Sequence, residues 1–170
     1  MKKTFLLLCV FCLGSLFSEM EGQTATFKAL FLYNFTKNID WPASASGDEL
    51  VITILGDAEI STELQKIAKV KKSGRKSIKI VSVRSIKDVG ESHIVFLGSS
   101  KSSLMNSLSH TQQNKPVLLV ADKGGLCKHG AAISFLTVGG KLRYEICPSV
   151  FESHNLKVTQ KVISLGITVQ

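Results

Sequence analysis

The sequence predicts an α/β fold: a single domain with a mainly parallel, twisted sheet flanked by helices, and a C-terminal antiparallel β-hairpin. Three apolar runs of strand length, residues 50–55, 93–97 and 116–121, alternate with segments that have helical spacing. This alternation is typical of a parallel sheet with right-handed crossovers. Near the end of the chain, Gly139 and Gly140 separate two further strand-like segments and predict a two-residue hairpin turn.

Composition agrees with this fold and leaves the function open. The 170 residues are 44% hydrophobic and 20% charged, with a formal net charge of +8, and this length indicates one domain. Only 3 Pro and 13 Gly argue against a disordered or collagen-like chain. The apolar content is sufficient for a core, so the chain needs no disulfide merely to fold.

Residues 1–22 are expected to be a signal peptide that precedes the α/β domain at residues 23–170. A cationic start is followed by a 13-residue apolar stretch at 5–17. A helix of that length spans about 20 Å, against about 30 Å for the hydrocarbon core of a bilayer, which favours a cleaved secretory signal over a transmembrane anchor. We expect cleavage between Gly22 and Gln23; an uncleaved anchor is the alternative.

The four cysteines divide between these two parts of the chain. Cys9 and Cys12 lie in the predicted signal, and neither follows a small residue, which argues against a lipoprotein. Cys127 and Cys147 remain after cleavage. For a chain bound for an oxidising compartment, the simplest expectation is a disulfide between them.

Three helices are predicted before the last third of the chain. Residues 24–39, which end before Asp-Trp-Pro, have apolar side chains at Phe27, Leu30, Phe31 and Phe35. Residues 59–70 carry Ile60, Leu64 and Ile67 on one side, and residues 99–108 form a polar helix. The candidate N-caps are Thr24 or Thr26 for the first helix and Ser99 or Ser100 for the third.

Four strands accompany these helices. The near-continuous apolar runs at 50–55, 93–97 and 116–121 predict strands covered on both faces. Residues 77–83 alternate, which predicts an exposed or edge strand. Its inward side chains are either Ile78 and Ile80 or Val81 and Val83.

The hairpin strands, residues 131–138 and 141–147, have a register fixed by pairing Val138 with Lys141. This places Leu142 opposite Thr137, Tyr144 opposite Phe135 and Ile146 opposite Ile133. The core face then carries Ile133, Phe135, Leu142, Tyr144 and Ile146. The other face carries Ser134, Leu136, Arg143, Glu145 and Cys147. A short helix over 148–153, with Pro148 in its first turn, and a terminal helix over 159–165, ended by Gly166, complete the prediction.

Motifs for catalysis, cofactors and metals are missing from the sequence. No G-x-G-x-x-G follows the first strand, there is no G-x-S-x-G elbow, and the serines after Gly98 lack a P-loop frame. Cys127 and His129 offer two metal ligands where zinc needs three or four, and the carboxylates are not paired for acid–base chemistry. The other histidines, His93, His110 and His154, are scattered. We therefore expect no catalytic, cofactor or metal site.

The densest charge feature is a basic run. It consists of Lys66, Lys69, Lys71, Lys72, Arg75, Lys76 and Lys79. Nucleic acid would suit its charge, but no aromatic residues interleave with it as stacking platforms, and an exported protein rarely meets nucleic acid. A solvated helix end, an anionic membrane surface and an acidic partner stay open.

Several segments resemble the YfiR family of periplasmic proteins. Residues 29–35 (ALFLYNF), followed by Asp-Trp-Pro at 40–42, are similar to that family's opening signature. Residues 130–135 (GAAISF) and 141–146 (KLRYEI) resemble its G-G-M-I-x-F and V-R-F-E-I hairpin. Residues 156–165 are similar to its closing helix. Together the order and spacing of these motifs are fairly specific.

The resemblance, which spans residues 24–166, implies a periplasmic regulator rather than an enzyme. Family members of the best-understood type bind the periplasmic sensory domain of an inner-membrane diguanylate cyclase and hold it inactive. Release of the cyclase raises cyclic-di-GMP and promotes biofilm. Other members occur beside sensor kinases or outer-membrane receptors, so a sensor kinase is an alternative partner. A homodimer is a further expectation from the family.

The resemblance also implies a partner-binding surface at Arg143, Glu145 and Phe151. Glu145 matches the family's acidic hairpin residue, and the predicted register places it beside Arg143 on the face away from the core. A plain cross-strand surface charge is the alternative. Phe151, on the next helix, is expected to be exposed close by; burial in the core is its alternative.

The cysteines depart from the family pattern. Cys127 matches one half of a family disulfide, but Ser134 stands where its partner is expected, and Cys147 is the other thiol. A structural bridge that closes a loop of about 20 residues is still expected. Two other functions stay open: an exported small-molecule binding module, with its ligand near 56–57 and 98–99 at the carboxyl ends of the strands, and an enzyme with Cys127 as nucleophile.

Overall fold

Parallel strands that are apolar on both sides form the centre of the structure, a computed structural model that describes residues 23–45 and 47–169. In chain order the strands are β1 (Ile39–Asp40), β2 (Glu49–Leu55), β3 (Ser77–Val83), β4 (Ile94–Leu97), β5 (Leu118–Ala121), β6 (Ile133–Val138), β7 (Lys141–Ile146), β8 (Lys157–Val158) and β9 (Ile167–Thr168). The helices are α1 (residues 23–38), α2 (Ala58–Val70), α3 (Met105–Thr111), α4 (Pro148–Ser153) and α5 (Gln160–Leu165). The predicted signal peptide, residues 1–22, lies outside the described residues.

The main sheet has seven strands in the order β3-β2-β4-β5-β6-β7-β9. All neighbouring strands are parallel except β6 and β7, which form the antiparallel hairpin. Every residue of β4 and β5 is buried, as expected for central strands covered on both faces. The strand β3 lies at one edge, as its alternating sequence predicts. The mixed α/β fold with a C-terminal hairpin is therefore confirmed.

Helices cover both faces of this sheet. On one face, α1, α2, α4 and α5 pack with the strands into the larger core cluster, which includes Leu32, Ile60, Phe151 and Val162. On the other face, α3 contributes Met105 and Leu108 to a smaller cluster. The edge strand β3 packs its Ile78 and Ile80 against the larger cluster. Val83, on the opposite face of the strand, packs against the smaller cluster, so both of the predicted alternatives are partly met.

The buried face of α1 differs from the predicted one. Phe35 is buried and Phe31 packs against the core, but Phe27 is 50% exposed and Leu30 is 36% exposed. The buried side chains of the helix include the smaller Ala25 and Ala29 as well as Leu32. Because successive residues rotate by about 100°, Phe27 lies about 160° around the helix from Ala29 and faces away from the sheet.

The expected N-caps are also wrong. Thr24 and Thr26 lie inside α1, which is already helical at residue 23. The third predicted helix begins as a 3₁₀ helix over Ser99–Leu104 and continues into α3. Its N-cap is Gly98, without a side-chain hydrogen bond, so neither Ser99 nor Ser100 fills that role.

His93 has a structural role next to the Asp-Trp-Pro segment. Its ring Nδ1 accepts a hydrogen bond from the N–H of Val51 at 3.1 Å. The opposite nitrogen, Nε2, is therefore the protonated one and donates to the carbonyl of Ala45 at 2.9 Å. The indole of Trp41 donates to the carbonyl of His93 at 3.1 Å. These bonds tie the segment after α1 to the start of β2.

The hairpin register agrees with the prediction at every pair. Val138 pairs with Lys141, and the turn between them is made by Gly139 and Gly140, both with positive φ. A two-residue turn of this type matches the twist of the strands and favours glycine. The pairs that follow along the hairpin are Thr137 with Leu142, Leu136 with Arg143, Phe135 with Tyr144, Ser134 with Glu145 and Ile133 with Ile146.

Tyr144 joins the core face of the hairpin to two helices. Its ring lies 5.6 Å from that of Phe31 and 5.5 Å from that of Phe35, both edge-on, and 6.5 Å from that of Phe135. Its hydroxyl donates to the carbonyl of Val162 in α5 at 2.6 Å. Burial raises the pKa of Tyr144 to about 12, although the positive charge of Arg143 opposes this shift.

We expect Tyr144→Phe to lower the free energy of unfolding by about 1–2 kcal/mol, because it removes a buried hydrogen bond and keeps the ring. Urea unfolding followed by circular dichroism measures the loss. Tyr33→Phe is the matched control, because its hydroxyl bond to the carbonyl of Lys72 is longer, at 3.3 Å. Equal losses in the two variants would contradict a special role for the Tyr144 hydroxyl.

Candidate functional site

The face of the hairpin that points away from the aromatic core is covered by a single loop. This loop, residues 122–130, leaves the end of β5 and lies across β6 and β7; we call it the strap. A Cβ built on Gly124 would lie only 3.1 Å from the Cβ of Leu136 in β6, so the backbone of the strap packs directly on the strand. Two further attachments hold the strap in place.

The first attachment is a disulfide between Cys127 in the strap and Cys147 at the end of the hairpin. Their Cα atoms are 5.9 Å apart, within the usual range for a bridge. Cys147 is 2% exposed. The expected pairing is therefore present in the structure, and it closes the strap onto the sheet.

The second attachment is made by Glu145. Its Oε2 accepts a hydrogen bond from the N–H of Gly125 at 2.6 Å, a short charge-assisted bond. The side chain points away from the aromatic core, as predicted, and is half-buried. No local pattern in the sequence indicates Gly125 as its partner, because the contact depends on how the strap folds back over the hairpin.

Arg143 is exposed beside this attachment, two residues before Glu145 on the same face of β7. Phe151 is not part of this surface. It is 1% exposed and belongs to the larger core cluster, on the other side of the sheet. The expectation that Phe151 is exposed is therefore wrong, because the helix that carries it turns its aromatic side chain inward.

Ser134 lies at the centre of the strap-covered face. It pairs with Glu145 across the hairpin and is 0% exposed. Its hydroxyl has no hydrogen-bond partner among the described residues, and an unsatisfied buried hydroxyl lowers stability.

A second site lies at the carboxyl ends of the parallel strands. There the ends of β2, β4 and β5 border a cleft of about 540 Å³ whose lining includes Lys28, Gly56, Asp57, Ser99 and Asp122. The structure thus brings together the two strand ends that the sequence singled out. The two loops contact each other closely: a Cβ on Gly98 would lie 2.6 Å from the carbonyl oxygen of Gly56.

The polar groups of this cleft are already engaged with one another. Asp57 caps α2 by accepting from the N–H of Ile60 at 2.9 Å. Lys28 and Asp122 form an ion pair at 2.6 Å, with side chains only 17% and 8% exposed. Burial raises the pKa of Asp122; the bond from Lys28 opposes the shift, and the charge of Asp57 adds to it.

The described residues contain neither a metal-binding cluster nor a helix that could span a membrane. Over residues 23–45 and 47–169, no three His, Cys, Asp or Glu side chains are arranged to hold a metal ion. In the same part of the chain, no helix combines the length and apolar character that crossing a bilayer requires.

Removal of the disulfide should destabilise the fold. We expect Cys127→Ala/Cys147→Ala to lose about 3 kcal/mol of unfolding free energy, as the chain-entropy model gives for a loop of this length. Chemical denaturation measures the loss. Wild-type protein in a reducing buffer should behave like the double variant, and the double variant should not respond to reductant. Equal stability of the variant and the oxidised wild type would contradict the clamp.

The ion pair between Lys28 and Asp122 predicts that the stability lost on replacing Lys28 depends on pH. Lys28→Met leaves Asp122 buried without its cation and should lower the free energy of unfolding by about 3 kcal/mol at neutral pH. The pKa of Asp122 is then raised further, so the folded variant takes up a proton, and the loss shrinks as pH falls through that pKa.

Urea unfolding of the wild type and of Lys28→Met at neutral and acidic pH measures this loss of stability. Lys66→Met is the control, because Lys66 pairs with Glu63 on the surface, and its loss should stay within about 0.5 kcal/mol at either pH. A loss for Lys28→Met that does not change with pH would be inconsistent with this account.

Comparison with known proteins gives a family and a fold. A family model described as YfiR/HmsC-like matches residues 25–167. No curated protein matches significantly. One similar solved structure is an ABC domain in complex with L-Trp from Streptococcus pneumonia, with a TM-score of 0.52 and 9% identity. The alignment covers 71% of this chain and 55% of that one, so this chain spans about half of that structure and is similar to it in fold alone. Since the family model covers most of its length, this chain belongs to the YfiR/HmsC-like family.

Proposed function

We propose that this protein is a periplasmic regulator that binds the sensory domain of an inner-membrane diguanylate cyclase and represses the enzyme, thereby limiting cyclic-di-GMP and biofilm formation. Membership of the YfiR/HmsC-like family supports the class of function. The observation that carries the site is the strap-covered hairpin face, where a disulfide and the Glu145 carboxylate fix one loop beside the exposed Arg143.

Two features support a periplasmic location. The N-terminal segment, residues 1–22, has the pattern of a cleaved signal peptide. The Cys127–Cys147 bridge suits an oxidising compartment and would not persist among the reduced thiols of the cytosol. Both features support export of the folded domain, residues 23–170, to the periplasm.

The strap-covered face suits binding to another folded protein. Its loop is held at Gly125 and at Cys127, so little conformational freedom is lost when a partner docks, and a preorganised surface binds more tightly for the same contacts. Arg143 supplies a charged group with five donors that bond well to carboxylates. Within the described residues no salt bridge engages it.

This proposal assigns different roles to Arg143 and Glu145. Arg143 contacts the partner directly. Glu145 positions the strap, because its carboxylate is already bonded to Gly125. Substitution of Glu145 therefore changes the shape of the surface, whereas substitution of Arg143 changes its charge alone.

We expect Arg143→Glu to weaken binding to the isolated periplasmic domain of the cyclase at least about tenfold, by charge repulsion at the interface. Its melting temperature should stay that of the wild type, since Arg143 is exposed. Isothermal titration calorimetry and thermal unfolding give the two readouts. Lys161→Glu is the matched control, an exposed charge reversal on α5.

Two variants of Glu145 separate its roles. Glu145→Gln retains an oxygen that accepts from Gly125 and should keep most of the affinity, whereas Glu145→Ala frees the strap and should lose it. The proposed surface is wrong if Arg143→Glu binds like the wild type, or if Lys161→Glu weakens binding as much.

A further inference from the structure

The basic run of the sequence contains a compact surface that the hairpin does not use. Residues 69–76 (KVKKSGRK) hold five cations and no acidic residue. They comprise the last two residues of α2 and the turn that leads to β3. We call this segment the basic tip.

The basic tip is held in a defined shape. Ser73 and Lys76 close a tight turn through two backbone hydrogen bonds of 3.1 Å each. Between them, Gly74 has φ +63°, and a Cβ built on it meets no atom within 4 Å, so the turn projects into solvent. The Ser73 hydroxyl donates to the carbonyl of Thr36 in α1 at 2.8 Å. The turn is therefore anchored to the core while its outer residues face outward.

The cations of the tip form no ion pair with a neighbour in the described part of the chain; Asp40, which lines the same cleft as Lys76, pairs with none of them. The nearby carboxylates pair outside the tip: Glu63 with Lys66, and Glu49 with Lys79. Among the residues that the structure describes, none of the five tip cations forms a salt bridge. Lys71 instead lies over the ring of Tyr33, 5.8 Å from its centroid. The segment thus presents a concentrated positive field.

An apolar side chain lies in the middle of this field. Val70 is 79% exposed, with Lys69 before it and Lys71 after it. An exposed aliphatic group surrounded by lysines is poorly suited to water, but it suits the interface of an anionic bilayer, where the charges meet phosphates and the aliphatic group enters the headgroup region.

We propose that the basic tip binds the anionic surface of a lipid bilayer. We identify this bilayer as the inner membrane, contacted from its periplasmic face, and this identification rests on the proposed function. The binding to anionic lipid itself does not rest on it. The tip precedes the edge strand β3, whereas the strap-covered face lies on β6 and β7, four to five strand spacings or about 19–24 Å away across the sheet. Membrane contact therefore leaves the strap-covered face free and concentrates the regulator near a membrane enzyme.

Vesicle sedimentation tests the inference with protein purified from periplasmic extract, its intact mass confirming the mature amino terminus. We expect binding to vesicles of equal parts phosphatidylcholine and phosphatidylglycerol, weak binding to phosphatidylcholine alone, and loss of binding at high salt. Lys71→Gln/Lys72→Gln/Arg75→Gln should lower the partition coefficient at least about tenfold, since each cation contributes roughly fivefold. Val70→Ser should lower it by a smaller factor at unchanged charge.

The control removes the same charge elsewhere: Lys87→Gln/Lys157→Gln/Lys161→Gln, all exposed. Equal loss in both triple variants would mean that net charge alone drives binding, and would overturn the inference. So would equal binding to neutral and anionic vesicles. If vesicles do not bind but the tip variant loses affinity for the soluble cyclase domain, the tip serves a protein partner instead. If the tip variant loses vesicle binding but still binds the soluble cyclase domain normally, the membrane inference is supported independently of the proposed function.

Discussion

Phe135 and Tyr144 face each other across the hairpin, and their pairing decides which side of β6 and β7 is buried. Because side chains alternate along a strand, a slip of one residue would turn Arg143 and Glu145 into the aromatic cluster and expose the rings. Both the two-glycine turn and the aromatic contacts with α1 exclude such a one-residue shift in register. The surface that we propose for docking therefore exists only because the opposite face is a packed core.

The strap adds a second constraint on the same hairpin. A disulfide and a charge-assisted hydrogen bond hold it over a face that contains the buried Ser134. Such a surface is rigid without being a catalytic cleft, which fits a regulator that acts by contact. The basic tip lies beside the edge strand β3, at the other side of the sheet from β6 and β7, so the fold separates the surface that we propose to bind a protein from the one that we propose to bind a membrane.

The strands and the hairpin were predicted from local patterns in the sequence, namely alternation, apolar runs and the paired glycines at the turn. This was possible because these elements depend mainly on residues that are neighbours in the chain. Features that depend on contacts between segments distant in the sequence were missed. The buried face of α1 includes the small Ala25 and Ala29 and leaves the larger Phe27 exposed, because the position of the helix on the sheet decides which side is covered. Phe151 is buried and Glu145 is bonded to Gly125 for similar reasons: no local pattern shows what will fold against them.

Docking of the strap-covered face onto the cyclase is the central claim, and amide hydrogen exchange with and without the cyclase periplasmic domain tests it most directly. Exchange should slow in residues 123–126 of the strap and along β7, while the amides of residues 56–59 at the carboxyl-edge cleft stay unchanged. Unchanged exchange in the strap, with protection confined to the cleft, would contradict the account.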